Sequence, residues 1–353
     1  VFLSKKKSQP ILGVDISATA IKLLELSRSG SKYHVESYAV EALPQHSVAD
    51  KTINDLELVG ETVGKAVKKS GTKIKTAAVA VAGSSVITKI ITMPAGLSDD
   101  DMENQIQIEA DQYIPFPLEE VAMDFEVIGP SEESADRVDV LLAASRSEFV
   151  DNVVAAVNLG GLTAKVVDIE SFALENAVSI IAKNLPESQP KEVIAIADVG
   201  SNTTTFSVLE NMKIIYSRED NFGGSQLTEE IQRRYGLSFE EAGLAKRKGG
   251  LPDNYGSEVL EPFKENMMSQ IGRAIQFFNA SSQISNIDQL ILAGGCSSIA
   301  GISELVENRL QLPTTIANPF SNMTLASKIS INALSNDAPA MMIACGLALR
   351  GGG

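Results

Sequence analysis

The sequence predicts an α/β protein built from two related halves, and three observations carry that prediction. The stretch ILGVDISATAIKLLEL, residues 11–26, reads as a buried strand that stops at Asp15, a turn of small and hydroxylated residues, and a second strand. The same grammar returns in IAIADVGSNTTTFSVL, residues 194–209, with Asp198 in the place of Asp15. Strands and helices alternate through most of the remaining chain, which is the pattern of layered α/β architecture.

After the first hairpin the chain predicts a third strand over 33–39, a helix over 56–70 and a strand over 76–82. The texture then changes. A strand at 88–93, a helix at 99–113, strands at 123–128 and 138–144 and a helix at 147–159 give a β-α-β-β-α order suited to a compact inserted subdomain. Its first helix is well signalled, because Ser98 and Asp101 form a capping pair and Asp99, Asp100 and Asp101 complement the helix dipole. Met102, Ile106, Ala110 and Tyr113 recur at helical spacing as one core-facing stripe, which two prolines close at IPFP. A strand at 163–169 and a helix at 171–184 lead into LPESQPKE, residues 185–192, a linker by composition. Beyond the second hairpin, helices begin in NFGGSQLTEEIQRRYGL and FEEAGLAKRKGG, and a long one spans 259–281 with Met267, Ile271, Ile275 and Phe278 toward the core. A last strand at 289–293 runs into AGGCSSIAG and another helix.

Composition narrows the function. A chain of 353 residues with 44% hydrophobic and 21% charged residues is long enough for two full cores. Its formal charge of -15 repels phosphate backbones and argues against nucleic acid as a main partner. Lys5, Lys6 and Lys7 form a local basic cluster, read as a solvated tail or as weak attraction to an anionic membrane surface. Cys296 and Cys345 lack C-x-x-C spacing, and His34 and His46 have no nucleophile partner, so disulfide, zinc and histidine-triad chemistry are set aside. No apolar run reaches the ~18 residues of a membrane span, and the start lacks a signal-peptide pattern, so the expectation is a cytoplasmic protein, at most peripheral to the membrane.

Two aspartate hairpins followed by a strand-Gly-Gly-helix segment resemble the phosphate 1, phosphate 2 and adenosine segments of the actin, Hsp70 and sugar-kinase superfamily. The stretches GVDISATAIKLLELSRSG, MPAGLSDDDMENQIQIEADQYIPFPLEEVAMDFEV, GGSQLTEEIQRRYGLSFEEAGLAKRKGGLP and DAPAMMIACGLALR narrow the match. Together they resemble the PilM family, actin-like proteins of type IV pilus assembly that are related to FtsA. The resemblance covers nearly the whole chain and implies an actin-like ATPase fold around a nucleotide cleft. The implied division is 1–86, 163–188 and 326–353 in domain 1, with 87–162 as the inserted subdomain. Domain 2 takes 189–224 and 286–325, with 225–285 as its own subdomain.

The same resemblance implies ATP or ADP with magnesium as cofactors. Asp15 and Asp198 are then the metal-side carboxylates, acting through water. Ser17, Ala18 and Thr19, with Gly200, Ser201, Asn202, Thr203 and Thr204, are the phosphate-facing donors, and Lys22 reaches the phosphoryl oxygens. Gly294 and Gly295 let the nucleotide approach the main chain, Ser297 and Ser298 sit at the following helix start, and Lys246 lies on the base side. Gly243 stands where relatives often carry an acidic residue that contacts the sugar. Glu170 is the candidate to orient an attacking water, with the alternative that it caps the helix starting at Ser171. The implied partner is the N-terminal cytoplasmic tail of PilN, and through it the PilO and PilP proteins at the inner membrane, with pilus motor ATPases and self-association as further expectations. A small-molecule kinase on the same fold and an FtsA-like division filament protein are the other readings.

Overall fold

The computed structural model describes residues 10–49, 51–132, 134–182, 192–284 and 286–351. The lysines at 5–7 and all but the last residue of the expected linker at 185–192 lie outside the described residues.

Strands β1 (Leu12–Ile16), β2 (Ala20–Ser29) and β3 (Lys32–Ala42) form an antiparallel meander, followed by a tight pair, β4 (Val48–Ala49) and β5 (Thr52–Ile53). Helix α1 (Leu56–Ser70) starts where the Asp55 side chain accepts from the Leu58 N–H and ends at Gly71, whose φ of 67° is the left-handed geometry of a helix stop. It leads to β6 (Thr76–Val81). The inserted segment holds β7 (Val86–Pro94), α2 (Asp99–Glu109), β8 (Val121–Pro130) and β9 (Arg137–Arg146), its strands ordered β7-β9-β8. As the sequence predicts, Ser98 caps α2. The helix is shorter than expected, however, because Pro115 forbids helical geometry just before it and the chain relaxes into a 3-10 turn over Ala110–Gln112.

Helix α3 (Ser147–Leu159) follows, then β10 (Thr163–Ile169) and α4 (Glu170–Ala182). Read from the sequence with the insertion, α3 packs elsewhere. Its Ala156 and Val157 share a buried cluster with Val59 and Val63 of α1 and with Leu12 and Val14 of β1. Gly60 makes the contact close, since a Cβ there would lie 2.5 Å from the Leu159 Cβ.

The second half repeats the first. Its elements are β11 (Val193–Val199), β12 (Thr204–Glu210), β13 (Lys213–Asp220), α5 (Gly224–Tyr235), α6 (Phe239–Lys248), α7 (Glu261–Ser281), β14 (Gln289–Ala293), α8 (Ile302–Leu310) and β15 (Thr314–Ile316). Then β16 (Thr324–Leu325), α9 (Ile331–Asp337) and α10 (Met342–Ala348) return to the first half. The two large sheets run β10-β6-β1-β2-β3-β16 and β13-β12-β11-β14-β15. In each, the central strand pairs antiparallel with the next strand in sequence and parallel with a later one, β1 with β2 and β6, β11 with β12 and β14.

Between the sheets lies one shared apolar core. Leu24 and Val35 of the first sheet, Leu174 and Val178 of α4, Ile194 and Ile196 of β11, and Met342 and Cys345 of α10 belong to the same buried cluster. Small residues let α10 lie against β1 and α4: a Cβ on Gly13 would meet the Ala344 carbonyl at 2.0 Å, and one on Gly346 the Ala173 carbonyl at 1.7 Å. This packing fixes how the central strands point, and both end at the same gap.

Candidate functional site

Asp15 is the penultimate residue of β1 and is buried, 6% exposed; the strand register puts it directly opposite Lys22 on β2. Lys22 Nζ donates to Asp15 Oδ2 at 2.8 Å. Burial works against the Lys22 charge, but Asp15, and behind it Asp198 and Glu170, more than offset this and hold the ammonium above the usual lysine range. Asp198 comes from the other half, at the end of β11, opposite Thr205 and beside Ala293. Burial lifts its carboxyl above the usual aspartate range; Lys22 pulls it back, and Asp15 pushes it up again. Lys22 feels both aspartates, so the two strand ends face one another across a gap.

Glu170 opens α4 on the same gap. Burial raises its carboxyl above the ordinary range, against the pull of Lys51. Lys51 stands just before β5 and bridges Glu170 Oε2 at 2.8 Å and Glu219 Oε2 of β13 at 2.9 Å. Burial opposes its charge, yet the two glutamates hold it above the lysine range. The set therefore comprises four carboxylates, Asp15, Glu170, Asp198 and Glu219, against two ammoniums, Lys22 and Lys51. Such a gap, negative on balance and largely withdrawn from water, suits a divalent cation. Among the described residues no group of three Asp, Glu, His or Cys side chains is placed to hold a metal directly. Contact through water to Asp15 and Asp198 is the arrangement these residues fit.

The turns around the gap supply donors. Ser17, its hydroxyl and its N–H both bonded to the Ala20 carbonyl, shapes the first turn. Gly200 shapes the second by donating its N–H to the Thr203 carbonyl at 3.0 Å. Among the described residues no backbone acceptor takes the N–H of Ala18, Thr19, Ser201 or Asn202, which leaves two small groups of amides for an anion. Gly294 follows β14 with φ 82°, and a Cβ there would stand 2.3 Å from the Val199 carbonyl and 2.5 Å from Asp198 Oδ1. Only glycine lets this chain pass so close to the aspartate. Gly295 next to it has open space at its Cβ position.

Lys246 lies on this side too, on α6, where its Nζ donates to the Gly224 carbonyl at 2.9 Å and to Thr228 Oγ1 at 2.6 Å. Burial lowers its pKa below the usual lysine range. Gly243 has nothing within van der Waals range except the Thr228 methyl, at 4.0 Å from a Cβ.

Three of the predicted residues commit their hydroxyl protons to nearby carbonyls. Thr204, buried, gives its hydroxyl to the Phe222 carbonyl, and Ser297, fully buried, gives its own to the Ala293 carbonyl. Ser298 donates to the Asn336 carbonyl. These hydroxyls brace the turns. Lys51 and Glu219 were not singled out by the sequence, and nothing in the stretches SVADKTIN or YSREDN marks them. Gly223 and Gly224 open the GGSQLTEEIQRRYGL stretch. The structure shows their use, since a Cβ on Gly223 would meet the Ser201 carbonyl at 2.3 Å and one on Gly224 the Cys296 sulfur at 2.9 Å. Burial pushes the Cys296 thiol up to about 11, so it is a packed neutral group here.

A small, open hollow adjoins the gap on the first half's side. Ile16, Val48, Ile53, Val81, Phe149 and Val153 line it together with the polar Lys51, Thr52, Ser85, Asn152 and Glu170. It lies where β6 hands over to the insertion, between the β4–β5 pair and α3.

The family whose sequence profile is described as "Type IV pilus assembly protein PilM" matches residues 13–352. A solved PilM-PilN type IV pilus biogenesis complex is similar over 98% of this chain and 99% of that one, at 27% identity and a TM-score of 0.79. The ethanolamine utilization protein EutJ of Carboxydothermus hydrogenoformans shares the fold at 15% identity and a TM-score of 0.55, over 96% of this chain and 89% of that one. Cell division protein FtsA of Bacillus subtilis is 19% identical over 322 residues, 78% of this chain and 72% of that protein. The chain belongs to the PilM family of type IV pilus assembly proteins, and its fold is the actin-like ATPase fold that the sequence predicts.

Proposed function

We propose that this member of the PilM family binds a magnesium nucleotide between its two halves and docks the N-terminal cytoplasmic tail of a PilN protein in the hollow beside it. The observation that carries the nucleotide reading is the carboxylate excess in a half-buried gap, rimmed by uncommitted amides and by Gly294. When bound, a magnesium nucleotide supplies the positive charge this cluster lacks and a polyanion for the amides. For the chain's own part, Asp15 and Asp198 would orient cation-bound waters, Lys22 would neutralise phosphoryl oxygens, and Ala18, Thr19, Ser201 and Asn202 would donate to them. Glu170 already forms an ion pair with Lys51, which argues against a free base beside the phosphates and for slow or absent hydrolysis. The nucleotide then acts by holding the halves together.

The peptide reading rests on the hollow of Phe149, Val153, Val48 and Ile53, which offers an apolar seat where the insertion leaves the first half. In the likened complex PilM is associated with PilN. The expected result is that a synthetic PilN N-terminal peptide binds the wild type and binds Phe149→Ala about tenfold more weakly, the loss of roughly 1.4 kcal/mol from one anchor contact. Calorimetric titration checks it. Unchanged affinity in that variant places the tail elsewhere.

A further inference from the structure

The β4–β5 pair has two faces, and one residue belongs to both. Val48, Thr52 and Ile53 form a wall of the apolar hollow, opposite Phe149 and Val153 of α3. Lys51, in the same tight turn, lines that hollow and also bonds Glu170 and Glu219. Glu170 begins α4 of the first half, and Glu219 lies on β13 of the second. One ammonium thus ties the two halves together across the gap. Its backbone has φ 59°, a left-handed geometry that a lysine seldom adopts and that neighbouring contacts must hold in place.

We propose that Lys51 is a positioning residue that couples occupancy of the apolar hollow to closure of the nucleotide gap. The inference rests on the peptide and nucleotide reading given above. An apolar side chain seated against Val48 and Ile53 pins the β4–β5 pair. A pinned pair keeps Lys51 between Glu170 and Glu219, and that bridge requires the halves to stand as close as they do here. The peptide therefore favours the closed arrangement, in which the nucleotide's donors come from both halves at once. Linkage makes the effect reciprocal: whatever factor the peptide adds to nucleotide affinity, the nucleotide adds to peptide affinity.

The test is calorimetric titration of Mg-ATP into the full chain with and without saturating PilN N-terminal peptide, in wild type, Lys51→Met and Lys51→Arg. In the wild type the peptide tightens Mg-ATP by about fivefold or more, the lower end of ordinary coupling. In Lys51→Met, whatever the affinity of each ligand alone, the factor falls below about twofold. Lys51→Arg restores it, since a guanidinium fork can span two carboxylates. A second readout needs no ligand: a pair of spin labels, one on each half, reports a broader or longer distance in Lys51→Met than in wild type. Coupling of equal size in Lys51→Met, or a lowered melting temperature with the coupling factor intact, makes Lys51 a structural contact only and overturns the inference. So does a wild type that binds both ligands independently. Failure of the wild type to bind peptide or nucleotide at all is a different result, and it removes the reading beneath the inference as well.

Discussion

Asp198 ends a strand buried on both faces, next to a second carboxylate from the other half, and its proton is held more tightly in the folded chain than in the unfolded one. A carboxyl raised in this way costs stability once it ionises. The cost is absent below the unfolded value of about 4 and grows as pH rises through the folded value. Asp198→Asn removes the charge at nearly constant volume. The ligand-free variant should therefore melt about 2 °C or more above wild type at pH 7, with the gap closing toward pH 4, in thermal scans across that range. The same variant should lose most of the rise in melting temperature that Mg-ATP gives the wild type, a rise worth roughly 2.7 kcal/mol at a hundred times the dissociation constant. Lys22 behaves oppositely: its raised pKa contributes stability throughout the neutral range, lost only as pH climbs above the ordinary lysine value of about 10.4. Among single residues the sequence announces the aspartates, because a strand that stops at Asp before a soft turn is a local pattern. Lys51 is not announced. Its role comes from contacts 119 residues away at Glu170 and on another sheet at Glu219, which no local pattern encodes.

At the level of elements, the gap owes its shape to close packing by small residues. Gly13 sits in the middle of β1 with the α10 backbone against it, so Gly13→Ala drives a methyl into the Ala344 carbonyl. The expected cost is roughly 2–3 kcal/mol, read as a lower urea midpoint at unchanged slope. Gly83→Ala is the control, since a Cβ there meets nothing within 4 Å and the change should stay within about 0.5 kcal/mol. Hairpins and capped helices were legible because their signals are short-range: the periodicity of β2, the Ser98 cap of α2, and the Met267, Ile271 and Phe278 stripe of α7, all buried in the structure. The packing of α3 was not legible. Its apolar face is equally suited to the insertion's sheet or to α1, and only the tertiary approach of Gly60 and Gly160 to Leu159 and Val63 decides between them.

For the whole molecule, the two sheets repeat one topology and share the core built by α4 and α10, so the aspartate turns cannot move independently of that packing. Beyond that shared apolar core, the Lys51 bridge to Glu170 and Glu219 joins the halves across the gap. Lys22 pairs with Asp15 and Lys51 with Glu170 and Glu219, while Asp198 feels only the longer-range pull of the two lysines, and a cation with its polyanion would complete the set. Equilibrium binding of ATP to the wild-type chain, with magnesium and with the metal chelated, tests this claim most directly. Saturable binding that weakens at least tenfold on chelation, and that is lost in Asp198→Asn, is the predicted result. ATP binding of equal strength without the metal, or in Asp198→Asn, would contradict it.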